Sequence, residues 1–364
     1  MAGIRTDNIY RNIIDYILKE YDITVDNKER FRVNYPKDMK DESQEYLKWR
    51  NSGNIVRSER ISYNFKYSVL CLEDTYYILL ENYNHNFKID FLEEIEFNLG
   101  HLIFLFKEKQ HYPSLNPLKS SDDVMEVIDI MDDEYLTHEF EDINQLLLEI
   151  RIFKIESDCP FEFNSDNIEN SINRILSLIL IEEHKNKKFC YLTLDTLEEY
   201  KNIVMSDINY FSYENILLSL LEDKPSKVFL EIYRIIERLY PYIMIRKFKN
   251  IIKHKLKDED DENIFLLNEA LESINWNYKE ENCIQALFSE LDLKIEEDLQ
   301  KIIIESSGSK MSLHLWIYRI RNTIVHLSIN GTKKDINLKV ALEKDYIILK
   351  ILRLLPDLYR KCFY

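Results

Sequence analysis

Apolar positions are distributed along the chain in two different ways. From about residue 55 to 92, in NIVRSERISYNFKYSVLCLEDTYYILLENYNHNFKIDF, runs rich in Tyr, Phe, Val and Ile are broken by short polar stretches, which predicts strands joined by hairpins. On either side, residues 7–20, 93–108 and 122–150 have helical spacing, and FCYLTLDTLEEYKNIV (189–204) reads as a strand feeding a helix. Beyond residue 208 nearly every segment carries the 3.6-residue period. YENILLSLLEDK predicts one helix; Pro225 and Ser226 open the next, whose Phe229, Ile232, Ile236 and Leu239 follow helical spacing. Further helices are expected around 260–275 and 281–304, and ESSGSK then offers N-caps for a helix containing HLWIYRIRNTIVHLS, residues 314–328. An Asn330-Gly331 turn ends that unit, and a long helix runs from about 337 to the C-terminus with Pro356 as its point of kinking. The expected fold is an α+β domain at residues 1–208 followed by an all-α helical bundle at residues 209–364, mostly α overall.

Composition agrees with two folded domains. A chain of 364 residues exceeds one ordinary core of roughly 100–200 residues, and 45% apolar content is enough to bury real cores. No apolar run approaches the roughly 18 residues of a bilayer span, and the first twenty residues interrupt their apolar positions with Asn, Asp and Lys. The expectation is a cytoplasmic protein with no membrane association. Cys71, Cys159, Cys190, Cys283 and Cys362 stand far apart without a CxxC pair, so neither a disulfide framework nor a zinc knuckle is suggested. Only five glycines are present, none between Gly100 and Gly308, which leaves no place for a P-loop or a dinucleotide fingerprint. HExxH, GxSxG and EF-hand patterns are absent too. No metal and no cofactor are expected.

Charge is uneven. The chain holds 48 Lys and Arg against 65 Asp and Glu, yet the acidic excess belongs to the first part, and residues 310–364 carry eleven basic against four acidic side chains. A second basic stretch, RKFKNIIKHKLK at 246–257, is followed at once by DEDDE. A local basic surface on an acidic protein suits a polyanion bound at one place and argues against loose coating of duplex DNA.

That basic region surrounds 314–328. Projected at 100° per residue, Leu313, Trp316, Ile317, Ile320, Ile324 and Leu327 form one stripe facing the core. Arg319, Asn322 and His326 line the opposite side with Tyr318 beside them, and Arg321 flanks the stripe about 140° from His326. On a single straight helix Arg321 and His326 diverge; a twofold dimer brings His from one copy to Arg of the other.

The run Arg321, Asn322, Thr323, Ile324, Val325, His326 resembles the RNxxxH motif of HEPN domains, which are α-helical bundles. FLEIYRIIERLY, with Tyr233 and Glu237, is similar to an early helix of many HEPN proteins, and the motif precedes the last long helix as it does there. The resemblance covers about 155 residues and leaves the first 208 unexplained. It implies metal-independent RNA cleavage at a composite site between two bundles, with Arg321, Asn322 and His326 as catalytic residues. The chemistry suits these side chains. An imidazole near neutrality moves the proton of a ribose 2′-OH or of the leaving 5′-oxygen, and a permanently charged guanidinium holds the phosphate. A 2′,3′-cyclic phosphate and a 5′-OH follow, and DNA is spared. Arg319, Lys333 and Lys334 are secondary candidates for gripping RNA, while Tyr233 and Glu237 mark the fold more than the chemistry. The partners implied are RNA, a second copy of the chain through the C-terminal domain, and a protein or nucleic-acid trigger at residues 1–208, in a setting of prokaryotic antiviral defence or a toxin system. The alternative is a non-catalytic HEPN scaffold that dimerises, or binds RNA or a nucleotide without cutting it.

Overall fold

The structure, a computed structural model, describes residues 6–23, 31–33, 48–49, 51–62, 65–83, 85–107, 112–128, 136–138, 143–164, 166–187, 191–252, 279–289, 297–325, 337, 341–342 and 345–363. The chain divides into two compact units, Met1–Cys159 and Pro160–Tyr364. Helix predominates, accompanied by a five-stranded antiparallel sheet. No helix among the described residues is long and apolar enough to cross a membrane.

The first unit runs α1 (Thr6–Glu20), β1 (Phe31–Val33), β2 (Gly53–Ser62), β3 (Phe65–Leu72), β4 (Thr75–Glu81), β5 (Leu92–Ile95), α2 (Leu99–Lys107), α3 (Ser121–Ile128), β6 (Leu136–His138) and β7 (Ile150–Ile155). Sheet order is β2-β3-β4-β7-β5, and β1 pairs with β6 in parallel apart from it. The β3–β4 hairpin closes with Leu72 opposite Thr75, and its two turn residues, Glu73 and Asp74, both have positive φ (50° and 65°). That left-handed pair matches the twist of the flanking strands, which is why two residues suffice. Leu70, Leu79 and Ile152 pack with Ile13, Ile14 and Ile17 of α1 and Leu102 and Leu105 of α2. Consecutive buried positions, Tyr67 to Leu70 and Ile78 to Glu81, show that the sheet centre is covered on both faces. Buried Glu81 is compensated by Lys66 at 2.7 Å and by the Ser114 amide at 2.8 Å. Gly53 begins β2 where a Cβ would stand 2.5 Å from the Trp49 carbonyl oxygen, so a larger residue displaces the backbone. Of the stretch 122–150 expected to be helical, α3 covers the start and β6 takes 136–138, residues 129–135 and 139–142 lie outside the described residues, and the apolar alternation of IRIFKI at its end makes β7.

The second unit comprises α4 (Ile168–Asn186), α5 (Leu194–Met205), α6 (Tyr213–Leu221), α7 (Pro225–Glu237), α8 (Tyr240–Ile252), α9 (Glu280–Ser289), α10 (Glu297–Ser307), α11 (Leu313–Val325) and α12 (Tyr346–Phe363). It begins almost fifty residues before the border expected at 208, because α4 and α5 belong with the helices that follow. Helix α4 packs against α5 and α6 and is buried at every position from Ser171 to Ile181. A helix enclosed on all sides shows no apolar stripe, and its sequence does not announce which domain it serves. The strand expected to precede α5 is not formed by residues 191–193; Thr193 is the N-cap, its hydroxyl accepting from the Thr196 amide. Two buried polar residues tie the helices together. Arg174 of α4 donates to the carbonyls of Val204 (2.7 Å) and Ser206 (3.1 Å) and lies over the rings of Phe161 and Tyr213, so a cation sits at the negative C-terminal end of α5. Asp345 accepts from the Thr193 amide and hydroxyl at 2.5 and 2.9 Å and fastens the start of α5 to the residue preceding α12. Helix α12 continues through Pro356 and packs on α5 and α7, with the Tyr359 hydroxyl donating to the Ile235 carbonyl. The helix expected at 260–275 and the Asn330-Gly331 turn lie outside the described residues.

Candidate functional site around Arg321

Helix α11 is positioned by its apolar stripe. Leu313, Trp316, Ile317 and Ile320 are buried as the periodicity requires; Ile324 is half-buried, and Leu327 lies outside the described residues. The Trp316 indole N–H donates to Ser306 Oγ at 2.9 Å and fixes the rotation of α11 against α10, which ends at Gly308 in the left-handed conformation (φ 72°). Once Ile320 faces inward, Arg321 stands at the edge of the stripe, where α11 packs against α7 and α9.

There the guanidinium is enclosed. Its side chain is 18% exposed, and one terminal nitrogen donates to two carboxylates, Glu237 at 3.3 Å and Glu280 at 3.1 Å. The other terminal nitrogen donates to Asn322 Oδ1 at 3.0 Å, and the carbon of the guanidinium lies 5.9 Å from the centre of the Tyr233 ring. Behind that ring, the hydroxyls of Tyr233 and Tyr240 share a buried hydrogen bond of 2.8 Å. Four helices meet here: α7 brings Tyr233 and Glu237, α8 Tyr240, α9 Glu280, and α11 the Arg-Asn pair.

Electrostatics follow from this enclosure. Burial raises the Glu237 carboxyl above its ordinary range, and the neighbouring Glu280 charge adds to the rise, while Arg321 opposes it. Burial likewise pushes both tyrosine hydroxyls well up, so they remain neutral hydrogen-bonding groups near neutrality. The Cys283 thiol is raised to about 11 by burial and by Glu280, which removes it as a nucleophile at neutral pH. With two carboxylates around one guanidinium the cluster is net negative whenever both are ionised. The polar edge of α11 is different: Arg319 is exposed and its carbonyl accepts from Thr323 Oγ1 at 2.8 Å. His314 lies near Phe288 with its Nε2 3.2 Å from Ser312 Oγ, and burial lowers its affinity for a proton.

Of the candidates named from sequence, Arg321 and Asn322 are in direct contact and Arg319 points elsewhere; His326, Lys333 and Lys334 lie outside the described residues. Tyr233 and Glu237, read from the sequence as markers of the fold, touch the guanidinium. Glu280 and Tyr240 were not singled out, and no spacing flags them, because Glu280 stands 41 residues from Arg321 and meets it only through packing. An open groove of about 550 Å³ between α5 and α12, lined in part by Glu199, Asp207 and Arg360, includes none of the residues around Arg321. No protein-family profile, curated protein or solved structure matches the chain.

Proposed function

We propose that the Pro160–Tyr364 unit is a HEPN-like bundle and that the chain is a metal-independent endoribonuclease, acting as a dimer through this unit. Arg321 holds the scissile phosphate and stabilises its added charge in the transition state, Asn322 orients the guanidinium through its amide oxygen, and His326 exchanges a proton with the ribose or the leaving oxygen. One observation carries the reading: Arg321 and Asn322 form a joined, partly enclosed pair among four helices instead of a solvated helix edge. An arginine held by several partners loses little further entropy when its planar guanidinium grips a phosphate, which is the preorganisation that electrostatic catalysis requires. A cytoplasmic role in prokaryotic defence or a toxin system, with Met1–Cys159 receiving the trigger, belongs to the same proposal by family analogy.

The double ion pair also favours a second reading, a non-catalytic scaffold in which Arg321 serves only to join α7, α9 and α11. The two separate in one experiment. The full chain is incubated in EDTA with a labelled single-stranded RNA pool of randomised sequence, beside Arg321→Ala and His326→Ala variants. Cleavage by the wild type that both variants lose supports the nuclease; an intact pool, or cleavage that both variants retain, refutes it.

A further inference from the structure

We infer that the groove between α5 and α12 is a binding site for a single strand of RNA, whose bases stack on Tyr210 and whose phosphates meet Arg360. That the strand is RNA rests on the proposed ribonuclease reading, but the groove shares no residue with the Arg321 cluster and binding there is separate from cleavage. Its volume of about 550 Å³ suits a ligand of nucleotide size. Ile203, Ile208 and Pro356 make an apolar floor, and Asn202 and Ser206 bring an amide and a hydroxyl to it. Pro356, Arg360 and Phe363 share one face of α12 at i, i+4 and i+7, so the groove leads past Arg360 to the aromatic end of that helix.

At that end Tyr210 is 60% exposed and has a φ of 61°. Left-handed backbone is disfavoured for a bulky residue, and here it accompanies an aromatic ring set out on the surface. The ring lies 4.7 Å from that of Phe363, which Tyr242 of α8 meets edge-on at 4.8 Å. Exposed aromatic rings of this kind stack with unpaired bases, whereas the bases of a duplex are already stacked on one another. The negative ends of α5 and α12 converge here and would repel a polyanion, but a guanidinium covers each. Arg174 donates to the Val204 and Ser206 carbonyls, and Arg246 of α8 donates to the Lys361 carbonyl. Arg360 is paired with Asp357 at 3.1 Å, both side chains more than half exposed, and a solvated pair of this kind yields readily to a phosphate. Lys361 adds an exposed cation beside it. The two carboxylates of the groove are themselves near cations: Glu199 accepts from Arg353 at 3.4 Å, and Asp207 stands 4.0 Å from Arg174. Facing the bases, they accept from exocyclic amino groups.

The test is fluorescence anisotropy of the full-length chain with a labelled 2′-O-methyl RNA of about twelve nucleotides and randomised sequence; it lacks the attacking hydroxyl and so stays intact. Wild type binds it, and binds an RNA duplex of equal length at least about fivefold more weakly. Tyr210→Ala weakens binding at least about fivefold with the salt dependence and melting temperature unchanged, while Tyr210→Phe keeps the wild-type affinity. Arg360→Ala lowers the slope of log affinity against log salt by about 0.7, the loss of one phosphate contact on a single strand. Absence of binding, a duplex bound as well as the single strand, a smaller effect of Tyr210→Ala, or an unchanged slope for Arg360→Ala overturns the site; cleavage of an ordinary RNA pool in that case leaves the nuclease reading standing. Binding that depends on both residues, with the ordinary pool uncut, supports the site and overturns the nuclease reading.

Discussion

Replacing Arg321 by Ala leaves Glu237 and Glu280 facing each other across the space the guanidinium filled. Exposed ion pairs contribute about 0–1 kcal/mol, and removing one partner of a buried pair costs roughly 3–5 kcal/mol. Here the cation is 18% exposed and the carboxylates 30% and 37%, with contacts of 3.3 and 3.1 Å, so the cost falls between those limits, at about 2 kcal/mol near pH 8. For a unit of this size that lowers the melting temperature by about 4–8 °C. The defect depends on pH. Glu237 already has a raised pKa in the folded protein, and losing Arg321 removes a cause that lowers it, so the variant raises it further. A carboxyl with a raised folded pKa contributes stability that is present below its unfolded value and lost as pH rises through the folded one. The penalty is therefore smallest near pH 5 and grows toward pH 8. Scanning calorimetry of wild type, Arg321→Ala and the exposed control Arg319→Ala at both pH values measures it. An Arg321→Ala melt equal to wild type, or one depressed equally at both pH values, would show that the carboxylates do not depend on the guanidinium.

Other substitutions probe the framework that holds the site. Glu237→Gln removes a group whose charged form is disfavoured by folding, so at pH 8 it melts no lower than wild type, and the wild type gains on it as pH falls through the folded pKa of Glu237; paired melting curves across pH 4–8 check the sign. Arg174→Ala strips the C-terminal carbonyls of α5 of a buried cationic donor and costs about 2–4 kcal/mol in chemical unfolding of the second unit. Asp345→Ala leaves the Thr193 amide without its acceptor and costs about 1–2 kcal/mol, with faster amide exchange at the start of α5 than in α7.

Helical periodicity located helices that have one wet face and failed on one that has none. The inward stripe of α11 was legible because burial repeats at a fixed interval along it, whereas the strands between residues 53 and 81, buried on both faces at the sheet centre, were legible from their runs of Tyr, Phe, Val and Ile. Helix α4 was not, since IENSINRILSLILIEEHKN is enclosed all round and its buried Ser171, Asn173, Arg174 and Ser177 interrupt any apolar count. Its omission moved the expected border from 159 to 208. The stretch expected as one helix at 281–304 is α9 and α10, and residues 290–296 between them lie outside the described residues. At the site, the adjacent Arg321 and Asn322 were readable as a local motif, and Glu237 as a helix marker. That Glu237 and Glu280 converge on one nitrogen was not, because it is a property of how α7, α9 and α11 pack.

The central claim is that Arg321 serves phosphoryl transfer on RNA, and the most direct measurement is cleavage in EDTA of an RNA pool and of its all-deoxy counterpart, with the new ends identified chemically. The account predicts cyclic-phosphate and 5′-hydroxyl ends from the RNA, an untouched deoxy pool, and a rate at least about 100-fold lower for Arg321→Ala. Deoxy strands cut as readily as RNA, or an Arg321→Ala rate equal to wild type, would contradict it.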